Sequence, residues 1–126
     1  MKILLVFAHP EPRSLNAALR DVALAALRAE GHEVQVTDLY AAGWKASVDR
    51  GDFPGLEAEE RLRVAAASAA AMAGGTLTPD VREEQRKLLW ADALILQFPL
   101  WWYSMPAILK GWVERVYAHG FAYGVG

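Results

Sequence analysis

The stretch "LILQFPLWWYSMPAILKGW", residues 94–112, is the most informative in the chain. It enters from an apolar run, Ala93 to Phe98, of the kind that forms a strand buried on both faces. It leaves through Pro106 into a helix with Leu109, Trp112, Val113 and Val116 on one face. Between the two lies a loop that collects Leu100, Trp101, Trp102 and Tyr103 behind Pro99. Loops normally shed large apolar groups. Either these rings pack into the core or they form a surface for something flat and apolar.

Outward from this stretch the same alternation continues. Ile3 to Ala8 is a continuous apolar run and reads as a first buried strand, followed by the loop His9 to Arg13. Leu15, Ala18, Leu19, Val22, Ala26 and Leu27 recur at helical spacing, with Gly31 as the stop. Val34 to Leu39 reads as a second strand, Tyr40 to Leu56 as irregular, and Glu57 to Met72 as helical with poorly marked ends. Thr78 and Pro79 have the chemistry of an N-cap and first helical position for a helix to about Trp90. Strand and helix alternating in this way predict an α/β fold with parallel strands and right-handed crossovers. Ligands of such sheets bind beyond the carboxyl ends of the strands. "AHPEPRSLN" and "FPLWWYSMP" both fall at such ends, so two independent segments point at one rim.

The composition bounds what the rim can serve. The chain has 126 residues, enough for one domain with one core, and is 54% hydrophobic and 22% charged. A formal net charge of −2 makes no electrostatic case for nucleic acid or an anionic membrane surface. The apolar run after Lys2 is too short to insert into a membrane and lacks a small-residue cleavage site. With no cysteine there is no disulfide, thiolate chemistry or cysteine-based zinc site, which fits a cytoplasmic protein.

At the rim, Ser14 and Asn16 stand where the first helix begins, and helix N-termini bind anions through free N–H groups and the dipole. His9 is close enough in the loop to add a donor. The plainer alternative makes Ser14 an N-cap and His9 a surface histidine. Neither G-x-G-x-x-G nor G-x-x-x-x-G-K-[ST] is present, which disfavours a dinucleotide-type Rossmann loop or a P-loop. The first strand ends in "AHPEP" without the acidic pair of a receiver domain. A phosphate site and an aromatic cleft on one rim suit a nucleotide-like cofactor, and a flavin fits best.

"FAHPEPRSLN", "ILQFPLWWYSMPAILKGWVERV" and "GFAYG" together resemble the NAD(P)H:quinone oxidoreductase family, DT-diaphorase-like flavoproteins of flavodoxin-like fold. The resemblance covers nearly all of the chain. It implies a doubly wound parallel sheet of order 2-1-3-4-5, of which residues 1–126 would supply the first three strands of a single domain, without the C-terminal strands and helices. On that reading the chain is the N-terminal part of a larger reductase. Alone it is expected to bind flavin poorly, reduce no quinone and tend to aggregate along its third strand. By motif, His9, Ser14, Leu15 and Asn16 would hold the phosphate end of the cofactor. Pro99, Leu100, Trp101, Trp102 and Tyr103 would hold the isoalloxazine, with Trp101 where the mammalian enzymes have glutamine. Ala122, Tyr123 and Gly124 would line the substrate pocket. The family's active-site tyrosine and histidine come after residue 126, so no catalytic acid or base is assigned. The implied activity is two-electron, ping-pong hydride transfer from NAD(P)H through flavin N5 to a quinone, with FAD as cofactor (FMN as the alternative). Homodimers with the active site at the interface are the family's habit. The resemblance leaves two alternatives: a regulatory flavoprotein subunit of a potassium-efflux transporter, or a non-catalytic, flavodoxin-like electron carrier.

The remaining polar residues invite plain readings. Glu57, Glu59, Glu60, Arg61 and Arg63 form a solvated face; Asp80, Glu83 and Glu84 favour the dipole of a first helical turn. His32 follows a helix-ending glycine, His119 is ambiguous, and no histidine–carboxylate spacing suggests a metal.

Overall fold

The computed structural model describes residues 1–125. Its elements run β1 (Lys2–Phe7), α1 (Leu15–Ala29), β2 (Glu33–Asp38), α2 (Val64–Gly74), α3 (Pro79–Trp90), β3 (Ala93–Gln97) and α4 (Ala107–Val116). The three strands form one parallel sheet in the order β2-β1-β3, with Phe7 beside both Asp38 and Gln97 at the carboxyl ends. This is the flavodoxin-like order expected for the first three strands, with β1 between its neighbours.

β1 is apolar at every position from Ile3 to Phe7 because it is covered on both faces. Leu4, Val6 and Ala8 pack with Leu39 and with Leu109, Trp112 and Val116 of α4. Leu5 and Phe7 face Ala17 of α1 on the other side. α1 stops where Gly31 predicts: Gly31 N–H donates to the Arg28 carbonyl at 3.0 Å and His32 N–H to that of Leu27 at 3.0 Å, a Schellman closure. α4 lies close under the 40–56 segment at Gly111, where a Cβ would sit 2.1 Å from the Ala46 carbonyl oxygen.

Two segments differ from the sequence expectation. The helix expected from Glu57 begins only at Val64, because Arg50 takes the carbonyls of the preceding stretch. Its guanidinium donates to the Glu57 oxygen at 3.1 Å and the Glu60 oxygen at 2.6 Å, holding 57–63 in turns. The 40–56 segment, expected to be irregular, contains a 3-10 turn at Arg50–Asp52. There Asp49 and Asp52 cap each other's backbone, Gly51 N–H donating to Asp49 and Asp49 N–H to Asp52.

Glu84 also departs from its plain reading as a dipole-complementing acid near the start of a helix. It is 4% exposed and ties three elements together. Thr37 Oγ1 of β2 donates to Glu84 Oε2 at 2.8 Å, Trp112 Nε1 of α4 donates to the same oxygen at 3.0 Å, and Lys87 pairs with Oε1. A second buried group, Arg115, reaches Asp52 at 2.8 Å, Asp80 at 2.8 Å and the Lys45 carbonyl at 3.0 Å, and its guanidinium lies over the Trp44 ring. It fastens the 40–56 segment and α3 to the end of α4.

Truncating Glu84 leaves the Trp112 indole N–H and the Thr37 hydroxyl proton without their acceptor, and Lys87 without its carboxylate, with the Thr37 oxygen as its remaining partner. Glu84→Ala is expected to lower stability by about 3–5 kcal/mol and Glu84→Gln, which keeps an acceptor, by less. Urea unfolding at unchanged slope measures both.

Burial opposes ionisation of Asp80, but the Thr78 hydroxyl and the Arg115 guanidinium outweigh it and hold the carboxyl below its ordinary value. The folded state therefore binds this proton less readily than the unfolded chain. The resulting stability is present above the unfolded carboxylate range, about pH 4, and is lost as pH falls through the lower folded value. Asp80→Asn is expected to be less stable than the parent at neutral pH, with the gap closing as pH falls below that range. Thermal melts across this range show whether it closes.

Candidate functional site

The rim is built from the segments after β1 and β3. Ala8 N–H donates to the Gln97 carbonyl at 3.0 Å, and Gln97 Nε2 donates to the Asn16 carbonyl at 2.7 Å. The end of β3 is thus fastened to the first residue after β1 and to the first turn of α1. His9 lies beside Trp101, with ring centroids 6.0 Å apart and planes tilted by 60°. His9, Asn16 and the 99–104 loop therefore meet on one side of the sheet, at the carboxyl ends of β1 and β3.

Ser14 caps α1, its Oγ accepting from Ala17 N–H at 3.1 Å. Its carbonyl accepts from Ala18 N–H, so Leu15 and Asn16 N–H, the first two of the helix, have no acceptor among the described residues. Capping and anion binding coexist here, because the cap uses one N–H and leaves two. His9 Nδ1 accepts from Glu11 N–H at 3.0 Å, so the neutral imidazole carries its proton on Nε2 as a donor. The one acid in the loop, Glu11, accepts from both the backbone N–H and the side chain of Arg13. Those bonds, the backbone one first, lower its carboxyl below the ordinary value.

The aromatic loop is a two-residue hairpin. Trp101 and Ser104 exchange both backbone hydrogen bonds at 3.0 Å, and Trp102 and Tyr103 between them have φ of +50° and +61°. Positive φ at both central positions is the type I′ turn, whose usual occupants are Asn and Gly. Two β-carbon-bearing aromatics there cost roughly 1–2 kcal/mol each. The turn turns both rings outward: Trp102 is 94% and Tyr103 93% exposed. Core packing is therefore excluded for these two rings. Leu100 in the same loop and Leu15 at the start of α1 are exposed, and Pro99 is half-buried at the root of the loop.

The residues present fit a flavin in three respects. The two free N–H groups with His9 Nε2 suit a phosphate, and the outward rings offer an apolar shelf for a planar heterocycle. No unpaired acid opposes an anion, because Arg13 pairs with Glu11 at 3.2 Å.

Ala122, Tyr123 and Gly124 are placed elsewhere. Tyr123 forms part of the wall of a cavity of about 250 Å³ with Asp52, Phe53, Leu77, Arg115 and Tyr117, and no residue of the rim loops lines it. A larger recess of about 780 Å³ runs along α2 and is also separate from the rim. Sequence reading missed Gln97, Ser104 and Glu11. The only signal for Gln97 was a polar residue closing an apolar strand, and for Ser104 its place two residues before Pro106. Among the described residues no cluster of acidic or histidine side chains is arranged for a metal.

A family profile described as the flavodoxin-like fold matches residues 1–126, and the chain belongs to this family. A ribosyldihydronicotinamide dehydrogenase-like protein of Penicillium crustosum is 58% identical over all of this chain and 47% of its own length. The guinea pig (Cavia porcellus) NAD(P)H dehydrogenase [quinone] 1 is 46% identical over 97% of this chain and 45% of its own. The crystal structure of a candidate quinone reductase from Klebsiella pneumoniae superposes with a TM-score of 0.96 at 59% identity, covering 100% of this chain and 49% of that one. The chain thus spans about half the length of these relatives.

If the rings serve a flavin, Trp102→Ala weakens its binding by about 1–3 kcal/mol, the scale of a large aromatic contact. Replacing Trp102-Tyr103 by Asn-Gly should raise the thermal midpoint by relieving the turn, while weakening flavin binding further. Flavin titration and thermal melts of the same two proteins check both signs.

Proposed function

We propose that this chain contributes the flavin-holding half of an NAD(P)H-dependent quinone reductase. One observation carries the reading: two unpaired N–H groups at the start of α1 share a rim with outward aromatic rings, fastened to it through Gln97 and Asn16. The names of the relatives give the reaction class.

In this reading Leu15 N–H, Asn16 N–H and His9 Nε2 bind the phosphate end, and Glu11 keeps His9 in the donor tautomer. Leu100, Trp101, Trp102 and Tyr103 form the floor that orients the isoalloxazine and excludes water from one of its faces. Bound flavin supplies two-electron hydride chemistry between the nicotinamide and the quinone. The chain's part is orientation and polarity. FAD is the form proposed, in a cytoplasmic homodimer. The separation of Tyr123 from the rim favours an active site completed across two subunits, the Tyr123 segment of one facing the rings of the other. Residues 1–126 make one domain, and the edge of β3, where Leu94 is 37% exposed, is where a further strand would pair.

The complete gene product is expected to release FAD on denaturation and to oxidise NAD(P)H in the presence of menadione. Chromatography of the released flavin and the menadione assay on one preparation test the proposal. Absence of both flavin uptake and turnover would overturn it.

A further inference from the structure

His119 is the one histidine that neither the rim nor a helix end accounts for, and its surroundings are specific. It lies just past α4, where Ala118 is buried and Phe121 packs into the cluster with Phe53 and Leu77. Phe121 and Ala122 N–H both donate to the Ala118 carbonyl at 3.1 Å, and Gly120 N–H donates to the Tyr123 carbonyl at 2.7 Å. The segment is therefore a closed turn, anchored inward by Phe121, that presents Tyr123 outward. The His119 ring stands against the Tyr123 ring edge-on, with centroids 5.2 Å apart and planes at 88°. Its other neighbour is Gly124, whose φ is +68° and where a Cβ would fall 2.2 Å from His119 Nε2. The backbone angle favours glycine there, and a Cβ would displace the imidazole from this position.

We propose that His119 is a positioning residue for the electron acceptor: it wedges between Gly124 and Tyr123 and fixes the Tyr123 ring as a wall of the acceptor site. This rests on the reading of Tyr123 as a substrate-side residue. The recognised acceptor is a flat aromatic or quinonoid ring, because an edge-on fixed phenol offers a planar, apolar wall. The effect comes from the shape of a flat ring, so a phenyl group at 119 should replace the imidazole.

The test uses the complete gene product loaded with flavin, with menadione as acceptor and bound flavin per subunit as the check on folding. An edge-to-face aromatic pair is worth about 0.5–1.5 kcal/mol, which converts to roughly a two- to twelvefold change in the acceptor KM. His119→Ala and Gly124→Ala are expected to raise the menadione KM in that range, with kcat changed by less than about twofold. His119→Phe is expected to restore it. Tyr123→Ala separates the two levels. A raised KM in Tyr123→Ala with an unchanged KM in His119→Ala overturns the positioning role alone. An unchanged KM in Tyr123→Ala overturns the substrate-side reading, and the positioning role with it. Failure of His119→Phe to rescue also overturns the proposal, since a flat ring would then not be what the position needs.

Discussion

Strand β1 has no surface to spare. From Ile3 to Ala8 every side chain is buried, and both of its edges are paired, to β2 on one side and β3 on the other. A parallel sheet demands this of its central strand, since helices must cover both faces. The consequence is geometric. The chain leaves β1 and β3 in the same direction and side by side, so the His9 segment and the 99–104 loop must come together. Gln97 then locks the two with one side-chain bond to the Asn16 carbonyl at 2.7 Å. Everything at the rim depends on that parallel pairing.

The face of the sheet that carries α3 and α4 is held differently from the face that carries α1. Beneath α1, Ala17 allows close approach to Leu5 and Phe7, and a part-buried cation, Arg20, lies over the Phe7 ring and pairs with Asp38 at the end of β2. Beneath α3 and α4 apolar packing is threaded by buried charges, Glu84 and the Arg115–Asp52 pair, each with several partners. Such networks add less stability than their number of bonds suggests, since desolvation offsets much of the attraction. Their geometry is restrictive, however. Glu84 accepts from one donor on β2 and one on α4, so the two elements can dock on α3 in only one register.

The aromatic turn shows the opposite economy. Trp102 and Tyr103 occupy left-handed backbone positions that Asn and Gly would fill with less strain, and the large rings face outward. Folding gains nothing from exposed rings, so strain and exposure together mark the turn as a surface awaiting a partner. The flanking prolines, Pro99 and Pro106, limit how far the loop can relax, and the paired Trp101 and Ser104 hold its ends.

The elements whose cause is local were legible in the sequence. The apolar runs of β1 and β3, the helical spacing of α1 and α4, the stop at Gly31 and the opening of α3 at Pro79 all follow from side chains within a few residues of each other. The rim was legible too, because strand order and direction follow from the alternation of elements. What the tertiary structure decided are features whose partners are far along the chain. Glu84 is a buried hub because Thr37, 47 residues earlier, meets it; Gln97 belongs to the rim because Asn16, 81 residues earlier, offers a carbonyl. Residues 57–63 have the composition of a helix and lose it to a guanidinium from Arg50. Whether Trp102 faced the core or the solvent rested on the sign of one backbone angle, which a pairing between Trp101 and Ser104 imposes and which no pattern of apolar residues encodes.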